Sequence, residues 1–158
     1  IDGDLRKASL SAFYGGKNAR GLVHLLMNPQ VSPDSVLQSG KRFPGFDLVT
    51  AGPVPPNPVA LLTQGRLEEL LRYWRARYDR IILDGCPYEA VADASLMARH
   101  ADLVLYVIRC GMIEKQYVPV IQGLADKGEF RSGAIILNAE NFKNSRFHYY
   151  DEYSETDG

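Results

Sequence analysis

Cysteine is scarce in this chain of 158 residues: Cys86 and Cys110 are the only two. That is too few for a disulfide framework and suits a reducing compartment. Both follow apolar runs, where a free cysteine ordinarily packs as a small buried residue. No apolar run reaches the roughly 20 residues that cross a bilayer as a helix. Neither sign of charge dominates, with 18 Lys and Arg against 19 Asp and Glu, so the electrostatic footprint of a nucleic-acid binder is missing and no nucleic-acid partner is expected. His24, His100 and His148 have no metal-ligand spacing. A phosphate-binding loop is missing too. Gly16-Lys17 is followed by Asn18 where Ser or Thr is needed, and Ser11 stands where the first glycine belongs; Gly40-Lys41 is followed by Arg42, with Ser35 in that first position. The chain opens at Ile1-Asp2-Gly3-Asp4 without an initiator methionine, and we expect it to be a piece of a longer protein.

What is present describes one ordinary globular domain: 46% hydrophobic and 23% charged residues. Apolar runs alternate with helical patterns. Phe46–Thr50 reads as a strand closed by Gly52 and a proline cluster. Arg66–Arg77 carries Leu67, Leu70, Leu71 and Trp74 at helical spacing, with Arg66, Arg72, Arg75 and Arg77 on its solvated face. Arg80–Asp84 is a β-branched run ending in a carboxylate, Ala92–Arg99 is helical, Leu103–Ile108 and Ala134–Leu137 are strands, and a helix is expected over about Glu114–Lys127. Uninterrupted apolar strands between amphipathic helices predict an α/β fold, a mainly parallel sheet with helices on both faces.

In such sheets ligands sit outside the carboxyl ends of the strands, where Asp84, Arg109 and Asn138 fall. Asp2 and Asp4, at i and i+2 of an extended segment, point to the same side. Three carboxylates of this kind suit Mg²⁺, which keeps waters and bridges to phosphates. Each one singly is also an ordinary turn or cap aspartate.

The contexts of these acids occur in a recognisable order: Asp2-Gly3-Asp4-Leu5-Arg6-Lys7, then Gly52-Pro53-Val54-Pro55-Pro56-Asn57-Pro58, then Tyr78-Asp79-Arg80-Ile81-Ile82-Leu83-Asp84, then Val91-Ala92-Asp93-Ala94, and a terminal tyrosine cluster. Together they resemble the catalytic domain of the bacterial tyrosine kinases that control capsule and exopolysaccharide export. The resemblance implies a P-loop NTPase-like fold of the MinD/ParA type whose Walker A strand and loop lie upstream of Ile1. Residues 1–140 would then be a partial kinase domain, and 141–158 a flexible tail. Asp2 and Asp4 match the Walker A-prime motif and Asp84 the Walker B position, which implies ATP and Mg²⁺ as cofactors. Asp4 and Asp84 would belong to the metal shell, and Asp2 would accept the tyrosine proton. The same resemblance implies that Asn138 would lie near the adenine; Arg109 is a candidate phosphate contact from its strand-end position alone, and each equally suits a plain strand-end role. The run Asp84-Gly85-Cys86-Pro87 departs from the Asp-Thr-Pro-Pro usual in the family and removes a hydroxyl beside the site.

Beyond Asn138 the apolar periodicity stops, and residues 141–158 are polar, with Asp151, Glu152, Glu155 and Asp157 around the tyrosines. Tyr149, Tyr150 and Tyr153 are the expected phosphoacceptors; the alternative is an aromatic anchor of Phe147, Tyr149 and Tyr150. The resemblance further implies a ring-type homo-oligomer and a membrane-spanning activator, fused or separate, that holds the domain in the cytoplasm at the inner face of the membrane. Two other functions compete, a ParA/MinD-like ATPase switch and a non-catalytic module of the same fold. With no phosphate-binding loop of its own, this stretch alone is expected to be inactive.

Overall fold

The apolar run around Leu48 forms a strand because both of its sides are claimed by backbone partners. In the computed structural model, which describes residues 1–14, 19–40, 44–86, 91–111, 119, 123 and 132–139, β2 (Asp47–Val49) pairs antiparallel with β1 (Leu37–Ser39), in the register Leu37 to Val49. On its other side the opening segment runs alongside, with Asp2 N–H donating to Val49 O at 2.8 Å. Beyond that segment lies the run that ends at Asp84: Gly3 N–H donates to Asp84 O at 2.8 Å, and Asp84 N–H donates to Ile1 O at 2.9 Å. β1 was not foreseen. Three residues, Leu37-Gln38-Ser39, are too short to carry a period-two pattern. The expected strand over Arg80–Asp84 is reduced to a single parallel bridge between Asp2 and Asp84. Among the described residues its backbone is paired only toward the opening segment, and Ile82 is left 75% exposed.

Five helices surround this segment assembly in the described part of the first compact unit, Ile1–Ala101. They are α1 (Ser9–Phe13), α2 (Leu22–Met27), α3 (Pro58–Thr63), α4 (Arg66–Arg75) and α5 (Val91–Ala98). The first amides of α2 have no intrahelical acceptors. They are satisfied by the sheet, Leu22 N–H donating to Thr50 O at 2.7 Å and Val23 N–H to Ala51 O at 2.9 Å. The proline-rich run ends as a helix start. Asn57 Oδ1 accepts from Ala60 N–H at 3.2 Å, and Pro58, whose missing N–H costs nothing there, is the first residue of α3. α4 buries the four residues of the expected stripe, Leu67, Leu70, Leu71 and Trp74. Each large apolar side chain contributes roughly 1.5–3 kcal/mol by leaving water. Arg72–Glu68 at 2.9 Å lies on its outer face, whereas Arg66, expected there too, is only 18% exposed and pairs with Glu69 at 2.6 Å while donating to Pro29 O at 3.2 Å. Acids stand in the first turn and arginines in the last, as the helix dipole favours.

Tyr78, just past α4, donates its hydroxyl to Asp47 Oδ2 at 2.6 Å and fastens the helix end to β2. The carboxylate holds the phenol proton, burial adds to this, and the phenol pKa is pushed up to about 12. Because the folded-state value is raised, the stabilisation is fully present below about pH 10 and is lost as pH rises through about 12. We expect Tyr78→Phe to cost about 1 kcal/mol of stability; urea melts at pH 7 check this, and an unchanged midpoint would exclude the tie.

The second unit begins at Asp102. Its described strands are β3 (Val104–Arg109) and β4 (Gly133–Asn138), paired parallel with Arg109 opposite Asn138. Both were expected from the sequence to within a residue or so. Most of the expected helix over 114–127, and the tail 141–158, lie outside the described residues. Among the described residues no helix is long and apolar enough to cross a membrane.

Candidate functional site

Parallel pairing of Asp2 with Asp84 puts two carboxylates on neighbouring extended segments. Such segments lie about 4.8 Å apart with paired side chains on one face. The two are brought together by the backbone ladder, and their surroundings then differ sharply.

Asp2 is fully buried and its carboxylate is engaged on both oxygens. Oδ1 accepts from Asp4 N–H at 3.2 Å, and Oδ2 accepts from Ser11 N–H at 2.7 Å and from the Ser11 hydroxyl. Ser11 Oγ in turn accepts from Ala51 N–H at 2.8 Å, so one buried hydroxyl joins the opening segment, α1 and the end of β2. Sequence reasoning met Ser11 only as a failed loop position. Nothing local marks it as the partner of Asp2.

Asp4 does not continue the extended segment. The chain turns after Gly3, and Asp4 Oδ1 accepts from Arg6 N–H at 3.1 Å and Lys7 N–H at 3.0 Å, the use of an aspartate in a tight turn. Among the described residues no hydrogen bond reaches Asp4 Oδ2. Asp84 is exposed and its carboxylate has no hydrogen-bond partner among the described residues. Its pKa is raised above the usual carboxylate range, first by partial burial and then by the Asp2 carboxylate, with Asp4 adding and the Ile1 amino group opposing. Like charges gathered in this way favour a cation or a proton.

Arg6 reaches back from the same turn to α5. Its Nε lies 2.6 Å from Asp93 Oδ2 and its Nη2 lies 3.3 Å from Asp93 Oδ1, with the Asp93 side chain 5% exposed. This pair was also missed in the sequence, where Arg6 and Asp93 appeared only as motif letters. Cys86 is buried beside these charges, and its thiol is pushed up by burial, then by Asp93 and Asp4. That favours the neutral thiol over a nucleophilic thiolate.

Arg109 and Asn138 are cross-strand neighbours at the ends of β3 and β4, in the second unit. The Asn138 side chain turns onto its own strand end, Oδ1 accepting from Ala139 N–H at 2.8 Å, beside a left-handed Ala139 with φ 57°. Tyr149, Tyr150 and Tyr153 lie outside the described residues, as does the Gly16-Lys17 pair. Among the described residues no group of three or more His, Cys, Asp or Glu side chains forms a metal-binding cluster. Mg²⁺ needs less than that from protein, since one or two carboxylates and several waters suffice when phosphates supply the rest. Asp84, unpaired among the described residues and raised in pKa by partial burial and then by its acidic neighbours, and Asp4, with no hydrogen bond to Oδ2 among the described residues, fit that requirement.

No protein-family model matches the chain. Individual proteins do. It is 34% identical over 151 residues to the tyrosine-protein kinase YwqD of Bacillus subtilis, covering 95% of this chain and 63% of YwqD, so the chain spans a little under two thirds of that relative. Among solved structures, the kinase domain of the Escherichia coli tyrosine kinase ETK superposes with a TM-score of 0.79 at 32% identity, over 87% of this chain and 53% of that one. The VpsO kinase domain superposes with a TM-score of 0.78 at 34% identity, over 89% of this chain and 69% of that one. These likenesses extend over most of the chain, and the chain belongs to the bacterial tyrosine-kinase family.

Proposed function

We propose that this chain is the larger part of the catalytic domain of an ATP-dependent protein-tyrosine kinase, one that phosphorylates tyrosines on copies of itself and thereby regulates capsule or exopolysaccharide polymerisation and export. The observation that carries the proposal is the pairing of Asp2 with Asp84, with Asp4 two residues on. It gathers acids where a nucleotide's metal would lie, in a chain of kinase ancestry. Phosphoryl transfer asks little covalent chemistry of a protein; it needs in-line positioning and neutralisation of phosphate charge. Mg²⁺, when bound, supplies that neutralisation, and Asp84 and Asp4 are the carboxylates that would hold it directly or through water.

Asp2 remains our assignment for the group that takes the tyrosine proton. Its hydrogen bonds add a condition: the Ser11 hydroxyl must turn away from Asp2 Oδ2 before that oxygen can receive a proton. Arg109 and Asn138 are assigned to the nucleotide, at phosphate and base. Residues 1–140 form the kinase part and 141–158 a tail whose Tyr149, Tyr150 and Tyr153 receive phosphate. The partners are further copies of the chain in a ring and a membrane-spanning activator that holds the domain at the cytoplasmic face of the membrane.

Each phosphate adds about −1.5 to −2 charges at neutral pH. On an acidic tail facing an acidic site this repels, so full phosphorylation should loosen an assembly held by tails in neighbouring sites. The test is incubation of the full-length protein with Mg-ATP, followed by phosphopeptide mass spectrometry and light scattering. We expect phosphotyrosine within residues 147–153 and a smaller assembly. ATP hydrolysis without any phosphotyrosine would instead favour the ATPase-switch function.

A further inference from the structure

Arg6 donates from Nε and Nη2 to the two oxygens of Asp93, at 2.6 and 3.3 Å. The backbone amides of Arg6 and Lys7 meanwhile hold Asp4 Oδ1, at 3.1 and 3.0 Å. The same residue therefore orients the Asp4 carboxylate through its backbone and anchors the turn through its side chain. The anchor is buried: Asp93 sits in the first turn of α5 with its side chain 5% exposed, and a two-point guanidinium–carboxylate contact fixes direction as well as distance.

A second contact lies on the same face of α5. Met97 is one helical turn beyond Asp93. The opening segment passes so close that a Cβ on Gly3 would fall 2.5 Å from Met97 Sδ and 3.0 Å from Asp84 O. α5 thus grips the opening segment at Gly3 and at Arg6, on either side of Asp4. Gly3 is itself hydrogen-bonded to Asp84. A displacement of the turn would move Asp4 relative to Asp84.

We propose that Arg6 and Asp93 are positioning residues, whose paired contact sets the placement of the Asp4 carboxylate and hence the affinity of the site for Mg²⁺ with nucleotide. This rests on the kinase function proposed above. Supporting contacts around metal ligands typically carry about ten- to a hundredfold in metal affinity, and that is the expected size here. A lysine at position 6 keeps the charge and loses the two-point geometry. Arg6→Lys should therefore weaken Mg²⁺ dependence while leaving the charge balance intact.

The experiment uses the full-length protein and a fluorescent ADP analogue, with Mg²⁺ titrated at fixed nucleotide. Amide hydrogen exchange at Arg6 and Lys7 and thermal melting are followed in parallel. Asp93→Asn and Arg6→Lys should each raise the Mg²⁺ half-saturation about tenfold or more and speed exchange at both amides. Tyr78→Phe, which lowers stability without touching this turn, should leave the Mg²⁺ response unchanged. If Asp93→Asn fails to fold, Arg6→Lys carries the test, because the Arg6 side chain is 49% exposed. Wild-type Mg²⁺ dependence in a folded variant overturns the positioning role alone. A wild-type protein without any Mg²⁺-dependent nucleotide binding overturns the kinase function and this role with it.

Discussion

Asp84→Asn should abolish Mg²⁺-dependent nucleotide binding and leave the nucleotide-free protein at least as stable at neutral pH. The two effects have one cause. Asp84 is exposed, unpaired among the described residues, and crowded by the charges of Asp2 and Asp4, and its pKa is raised by burial and by those charges. A carboxylate whose folded-state pKa is raised contributes stability at pH values below its unfolded value, and that contribution is lost as pH rises through the folded value. At neutral pH its ionisation therefore works against the fold. An amide at position 84 removes that repulsion together with the charge that would neutralise a divalent cation, so Mg²⁺-dependent nucleotide binding should be lost. Thermal melts between pH 4 and 7 should show a wild-type stability deficit growing with pH, and a variant in which that component is flattened. Calorimetric titration with Mg-ATP on the full-length protein reads the other half. A variant that melts lower than wild type at pH 7 and still binds Mg-ATP normally would refute the placement of this acid.

Gly21→Ala should be among the most damaging single-methyl changes in the first unit. The backbone torsions at Gly21 are extended, φ −158°, and present no obstacle to alanine. Space is the obstacle. A Cβ there would fall 2.2 Å from Thr50 O and 2.6 Å from Gly52 N, both backbone atoms. Those atoms belong to the crossing where the α2 amides of Leu22 and Val23 bond to Thr50 and Ala51, so relief of the clash means breaking the helix–sheet hydrogen bonds. Overpacking costs typically 1–3 kcal/mol, and an unyielding backbone places this case near the top, about 3 kcal/mol. For a chain of this length that is a fall of roughly 10 °C in Tm. Gly65→Ala is the matched control. Gly65 has φ 74° and nothing within 4 Å of its added Cβ, so only the left-handed conformation is penalised, at about 1 kcal/mol. Melting of the two variants side by side decides the matter; equal and small losses would mean that the crossing is loose.

The α4 stripe of Leu67, Leu70, Leu71 and Trp74 was legible because a helix reports its buried face through spacing within a few residues, and all four are buried. β3 and β4 were legible for the same kind of reason: a continuous apolar run has few conformations open to it. β1 was not, since three residues with one apolar side chain carry no period. The bridge at Asp84 was read as a longer strand because the apolar pattern of Arg80–Leu83 is that of a buried strand. Pattern records what a segment can pair with, whereas the pairing realised depends on which neighbours lie beside it.

The acids divide in the same way. Asp2, Asp4 and Asp84 were recognisable from their positions at the ends of apolar runs and from family resemblance, which is information carried along the chain. Tertiary structure alone decided what each of them does with its oxygens. Asp2 is closed by Ser11, Asp4 turns inward to the Arg6 and Lys7 amides, and Asp84 is left unpaired among the described residues. The Arg6–Asp93 contact spans 87 positions, and no spacing rule reaches that far. Side-chain periodicity is set by local backbone geometry and is written in neighbouring residues. The partner of a buried carboxylate is set by which distant backbone the sheet and helices bring within about 3 Å, and that is known only once the chain has folded.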